Sequence, residues 1–106
     1  MKKMLGVILF GMAGAALAQA PAGNAEAGRN KTAMCIGCHG IPGYKTVYPI
    51  VYAVPMITGQ QPAYMVKALQ AYRSGSRSHP SMRAIAGSMS DQDMADVAAY
   101  YSHEAK

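Results

Sequence analysis

Cysteine is scarce in this chain, with two in 106 residues. A disulfide framework is therefore excluded. The one available bridge, Cys35–Cys38, would close a tiny loop and constrain the unfolded chain little. No convincing strand can be read, and no βαβ pattern surrounds the cysteines, which speaks against a thiol–disulfide oxidoreductase. A zinc site needs four ligands, and only His39, His79 and His103 could join the two cysteines. The sequence has no internal repeat and no low-complexity linker. Charge of one sign is modest: ten Lys and Arg face five Asp and Glu. That excess is too weak and too scattered for a nucleic-acid surface.

The first stretch reads as an address. Lys2 and Lys3 form a positive start, and Met4 to Leu17 carries no charge. Ala16-Leu17-Ala18 and Ala18-Gln19-Ala20 both fit a small-x-small cleavage site, as in a secretory signal peptide. A cut after Ala18 is favoured, because a cut after Ala20 would leave Pro21 at the new N-terminus. The competing reading is an uncleaved anchor, but the apolar run is shorter than the ~20 residues a spanning helix needs. The expected division is 1–18 signal peptide and 19–106 one small domain, so 88 of the 106 residues remain. Without Lys2 and Lys3 the ten basic residues become eight against five acids, a net +3 with neutral histidines. Export predicts a periplasmic location with no stable membrane insertion after cleavage. The mild positive charge suits transient docking to acidic partners.

So short a chain buries little core by itself and calls for a staple. The staple is signalled by Cys35-Ile36-Gly37-Cys38-His39. Two cysteines three apart, followed directly by histidine, are the attachment signature of a c-type haem. Each thiol can add to one vinyl group of the porphyrin, and the histidine can reach the iron from the same side.

The rest predicts an all-α domain. Asn24 can cap a helix over about Ala25 to Met34, with Glu26 in its first turn. Ala27 and Gly28 make one side of it small enough for a close helix crossing. Gly40 to Gly59, with Pro42, Pro49 and Pro55, shows no helical period. Tyr44, Tyr48 and Tyr52 recur there and are expected to cover apolar surface. Gln61 to Ser74 is a helix with Pro62 in its first turn and Gly75 after its end. Its apolar face is Met65, Ala68, Leu69 and Tyr72. Ser76 to Met89 reads as irregular. Ser90 then caps a last helix to about Ser102 or His103, with Asp91 and Asp93 close to a capping box. Met89 and Met94 can form its hydrophobic staple, and Met94, Val97, Ala98 and Tyr101 its buried face.

An iron held by His39 needs a sixth ligand or an open site. Met65 and Met94 fall on apolar helix faces, Met89 serves the staple, and His103 is near a fraying end. Met56, His79 and Met82 remain, all in expected loops. A thioether would raise the potential and a second histidine would lower it, so the residues themselves leave these three open.

Four segments carry a resemblance to the class I c-type cytochromes. They are Cys35 to Gly40, Pro55 to Gln60, Tyr72 to Arg77, and Met82 to Asp91. The likeness spans Asn24 to Ser102 and is greatest to small bacterial cytochromes, alone or as one domain of tandem di-haem proteins. It implies about three main helices and long loops wrapped around one covalent haem c. It implies thioethers at Cys35 and Cys38 and iron ligation by His39 and Met82. It implies a carbonyl at Pro55 that accepts a hydrogen bond from the proximal imidazole, with Ile57 against the haem. Thr32 departs from the family, which often has an aromatic residue there, and Ile41 to Val54 departs from the usual pattern.

The function expected is a one-electron carrier, monomeric or weakly oligomeric, and not an enzyme. The alternative is a haem subunit of a dehydrogenase or oxidase complex. A haem-free thiol or zinc protein is the distant third.

Overall fold

The computed structural model describes residues 21–103. The leader and its cleavage site lie outside the described residues. Five helices and one two-stranded sheet follow in the order α1 Ala25–Arg29, α2 Ala33–His39, β1 Lys45–Thr46, β2 Tyr52–Ala53, α3 Pro62–Ser74, α4 Pro80–Gly87 and α5 Asp91–His103. The all-α expectation holds, with α3 and α5 the longest elements.

Asn24 caps α1, its side-chain oxygen accepting from the Ala27 amide at 3.0 Å. The single first helix expected from sequence is in fact two. The Asn30 amide turns back to the Ala27 and Gly28 carbonyls. The Thr32 hydroxyl donates to the Arg29 carbonyl at 3.1 Å, and Lys31 is drawn towards α5 by Asp93 at 2.8 Å and Asp96 at 2.7 Å. These contacts end α1 and let α2 restart, so the cysteine motif rides on its own helix.

The small side of α1 meets α5. A Cβ at Gly28 would run into the backbone carbonyl of Asp96, and one at Gly23 into that of Ala95. The neighbour is backbone and cannot swing away. Gly28→Ala is therefore expected to cost about 1–3 kcal/mol, more than the ~1 kcal/mol of helix propensity it gains. A guanidinium midpoint at unchanged slope measures this. An unchanged midpoint would mean that the helices have room to spare.

Pro62 opens α3, and Gly75 closes it at φ 88°, in the left-handed region. The helix buries Met65 and Val66, while Ala68, Leu69 and Tyr72 are half-buried. Both arms of the capping box at α5 are present. The Ser90 hydroxyl accepts from the Asp93 amide at 3.0 Å, and Asp93 accepts from the Ser90 amide at 2.9 Å. Met65, Val66, Val97, Ala98 and Tyr101 form the core cluster, and Met94 is fully buried.

Two expectations need correction. Ser76 to Met89 is not irregular throughout, because Pro80–Gly87 is helical. The cap is His79, whose ring accepts from the Met82 amide at 3.3 Å, and Pro80 takes the first turn as proline does well. A strand also exists where none was read. Lys45 pairs with Ala53 and Thr46 with Tyr52, antiparallel. Two residues per strand are too few for alternation to appear in sequence.

Candidate functional site

Cys35 and Cys38 are free thiols on α2. Three residues apart on a helix, they share one face. Both are half-buried. Burial, and then the negative charge that Cys38 can carry, push the Cys35 thiol up from its usual range. Cys35 and Ile57 pack against the core cluster, so one end of the motif is seated on α3 and α5.

His39 ends α2, and its Nδ1 lies 2.7 Å from the Pro55 carbonyl oxygen. A carbonyl can only accept, so Nδ1 carries the hydrogen and donates it. The Nε2 lone pair of the neutral ring is then available for a metal. The structure thus brings together His39 and Pro55, which are 16 residues apart.

Met82 is near His39. It is half-buried and lies in the first turn of α4, rather than in the loop expected from sequence. A helix sets its backbone direction. His79 is buried and committed elsewhere. Its Nδ1 accepts from the Met82 amide, which in the neutral ring places the hydrogen on Nε2, so neither nitrogen has a lone pair to spare. Tyr52 packs edge-on against the same ring at 4.8 Å between centroids. Met56 is exposed, Met65 and Met94 are core, and Met89 packs at the core margin. His103 is exposed at the end of α5. Among the described residues, no group of three or more His, Cys, Asp or Glu side chains could hold a metal ion by itself.

The three loop tyrosines do not act together. Tyr44 is half-buried, Tyr52 meets His79 edge-on, and Tyr48 is 86% exposed. The expectation that they cover apolar surface fails for Tyr48, which stands at the hairpin turn beside exposed Val47 and Val51.

Two residues carry more than sequence reading gave them. Asp96 was not singled out, yet it is buried and is the polar hub between α1 and α5. It accepts from the Asn24 amide at 2.9 Å, Lys31 Nζ at 2.7 Å and Gln92 Nε2 at 2.8 Å. The available signal was an acid placed inside the apolar run Met94 to Ala98. Tyr101 belongs to the expected buried face, yet its hydroxyl is buried with no partner among the described residues.

The donor set suits a haem c: two thiols on one helical face, then an imidazole with its proton held on Nδ1. The family model for cytochrome c matches residues 14–103. The chain belongs to the cytochrome c family. Among its relatives, cytochrome c-554(548) of Halomonas halodenitrificans is 41% identical over 86 residues, covering 78% of this chain and 99% of that protein. Cytochrome c4 of Pseudomonas aeruginosa is 35% identical over 104 residues, covering 98% of this chain and 49% of that one. The thiosulfate dehydrogenase electron acceptor of Stutzerimonas stutzeri is 37% identical over 75 residues, covering 70% of this chain and 33% of its own length. This cytochrome therefore spans about half the length of its c4 relative and resembles one domain of such di-haem proteins. Membership brings a covalently bound haem c and a role in electron transfer rather than catalysis.

Proposed function

We propose that this cytochrome is a periplasmic one-electron carrier with His/Met-ligated haem c. When bound, the haem supplies an Fe(III)/Fe(II) couple. Cys35 and Cys38 hold it through thioethers. In each, a sulfur–carbon bond forms to one vinyl carbon and the thiol hydrogen goes to the other. His39 presents Nε2 to the iron, and the Pro55 carbonyl fixes that ring and raises its basicity. Met82 offers a soft, neutral sulfur that favours the reduced state. Ile57 lends an apolar wall.

The observation that carries this reading is the 2.7 Å contact from His39 Nδ1 to the Pro55 oxygen. It selects the imidazole nitrogen that can face a metal. With the His39 nitrogen and the Met82 sulfur both given to the iron, the site would suit outer-sphere transfer. The charged start and uncharged run ahead of Ala18 support export.

The mild positive charge supports acidic partners, met transiently by a monomer or weak oligomer. The Stutzerimonas relative, whose name includes thiosulfate dehydrogenase electron acceptor, favours a second reading in which this chain serves an oxidoreductase complex. The test is direct. Protein from the periplasmic fraction is expected to keep its haem on a denaturing gel, and its reaction with an acidic partner should slow as salt is added. A colourless band would remove the haem reading. A flat salt response would remove the acidic partner. A large complex surviving mild purification would favour the second reading.

A further inference from the structure

The hairpin of β1 and β2 lies within Ile41 to Val54, the segment that departs from the family pattern. Its base is braced. Thr46 pairs with Tyr52 across the two strands, and the Val54 amide donates to the Tyr44 carbonyl at 2.9 Å. The Thr46 hydroxyl donates to the Ile50 carbonyl at 3.0 Å, which ties the turn to the first strand.

The end of β2 reaches towards both residues assigned to the iron. On one side Pro55, just past the strand, accepts from His39 Nδ1 at 2.7 Å. On the other, the Tyr52 ring meets the His79 ring edge-on, at 4.8 Å between centroids and 75° between planes. His79 is 8% exposed, and its Nδ1 accepts from the Met82 amide at 3.3 Å. A ring used as a helix cap has to keep one orientation, because turning it carries the acceptor nitrogen away from the amide. The outer torsion of a histidine is broad and does not fix the ring by itself. Packing against the ring has to do so. Among the described residues, Tyr52 is the aromatic side chain paired with it.

We propose that Tyr52 is a positioning residue for the sixth iron ligand: it fixes the His79 ring, and that ring fixes the first turn of α4, which carries Met82. This rests on the reading of Met82 as that ligand. A thioether favours the reduced iron, so in the oxidised protein its hold depends most on the polypeptide. Releasing the sulfur moves the turn, and moving the turn gives up the ring pair.

Added imidazole is the probe, because it competes with Met82 for the oxidised iron. In the haem-loaded protein, Tyr52→Ala should bind imidazole about two- to tenfold more tightly than the wild type, the range that an edge-to-face ring pair is worth. Tyr52→Phe keeps the ring and should restore the wild-type value. Tyr48→Ala, on the same hairpin but at an 86% exposed position, should leave it unchanged. His79→Ala should also tighten binding, and its effect should not multiply with that of Tyr52→Ala, since both break one chain of contacts. Wild-type affinity in Tyr52→Ala would overturn the proposal, and so would a double variant whose effects multiply. Tyr52→Leu, which fills the strand position without a ring, decides the comparison if Tyr52→Ala does not load haem. The ligand reading fails separately: the wild type would then lack the near-infrared sulfur-to-iron band, or Met82→Ala would retain it.

Discussion

Met82→Ala is expected to abolish the weak near-infrared sulfur-to-iron band of the oxidised protein while leaving haem covalently attached. A Met82 thioether on the iron would stabilise the ferrous state, so its loss should lower the potential. Ligands and surroundings spread haem potentials over about 0.8 V, and a fall on the order of 0.1 V or more is expected. Met56→Ala is the matched control. Met56 is exposed in the segment after Pro55, and its replacement should leave band and potential in place. If the band survives Met82→Ala and disappears with Met56→Ala, the ligand assignment is reversed. Because Met82 lies in α4 and its amide is bonded by His79, a second variant separates ligation from capping. His79→Asn keeps a side-chain cap acceptor and should keep the band.

Asp96→Asn should lower stability at pH 7 by about 2 kcal/mol, the worth of a carboxyl group moved by nearly two pKa units. Asp96→Ala should cost more, about 3–5 kcal/mol, because it strips the acceptor from a buried charged cluster. Lys31 keeps Asp93 at 2.8 Å and is about one-third exposed, which puts the loss nearer the lower end. The acid dependence follows from the same contacts. Lys31 first, then the Asn24 amide and Gln92, lower the Asp96 carboxyl from 3.8 to about 2. The folded state therefore holds its proton less tightly than the unfolded chain. The stabilisation is present in full above pH 3.8 and is lost as pH falls through about 2. Asp93 is lowered too, chiefly by Lys31, and adds in the same direction. Denaturant midpoints from pH 6 down to pH 2 should fall steeply for the wild type and less for Asp96→Asn. Equal slopes would show that another carboxylate governs acid unfolding.

How far the sequence could be read depended on distance along the chain. The α3 face, Gly75, and the Ser90 and Asp93 box are settled within a turn or two, and local spacing exposes them. The small side of α1 was legible for a similar reason, since Ala27 and Gly28 are adjacent. Asp96 was not, because Lys31 and Asn24 lie 65 and 72 residues away from it. Nothing near residue 96 advertises them. Helix α4 was missed for another reason: its cap is a histidine, a residue whose more familiar roles hide that use, although Pro80 was a fair sign of a helix start. The break between α1 and α2 also depended on tertiary pull, through Lys31. Around the haem motif, spacing identified the three residues of α2, but the choice among Met56, His79 and Met82 required the family resemblance. In the structure His79 caps α4 and Met82 lies near His39.

The crossing of α1 with α5 also bears on how such domains can be strung together. The Asn24 amide and the Asp96 carboxylate are in contact, so the first and last helices lie side by side. A unit whose two ends emerge near one another can be duplicated head to tail, or inserted into a longer chain, without threading a connector past its working face. That economy of joining suits a fold whose counterpart in the c4 relative fills about half of that chain.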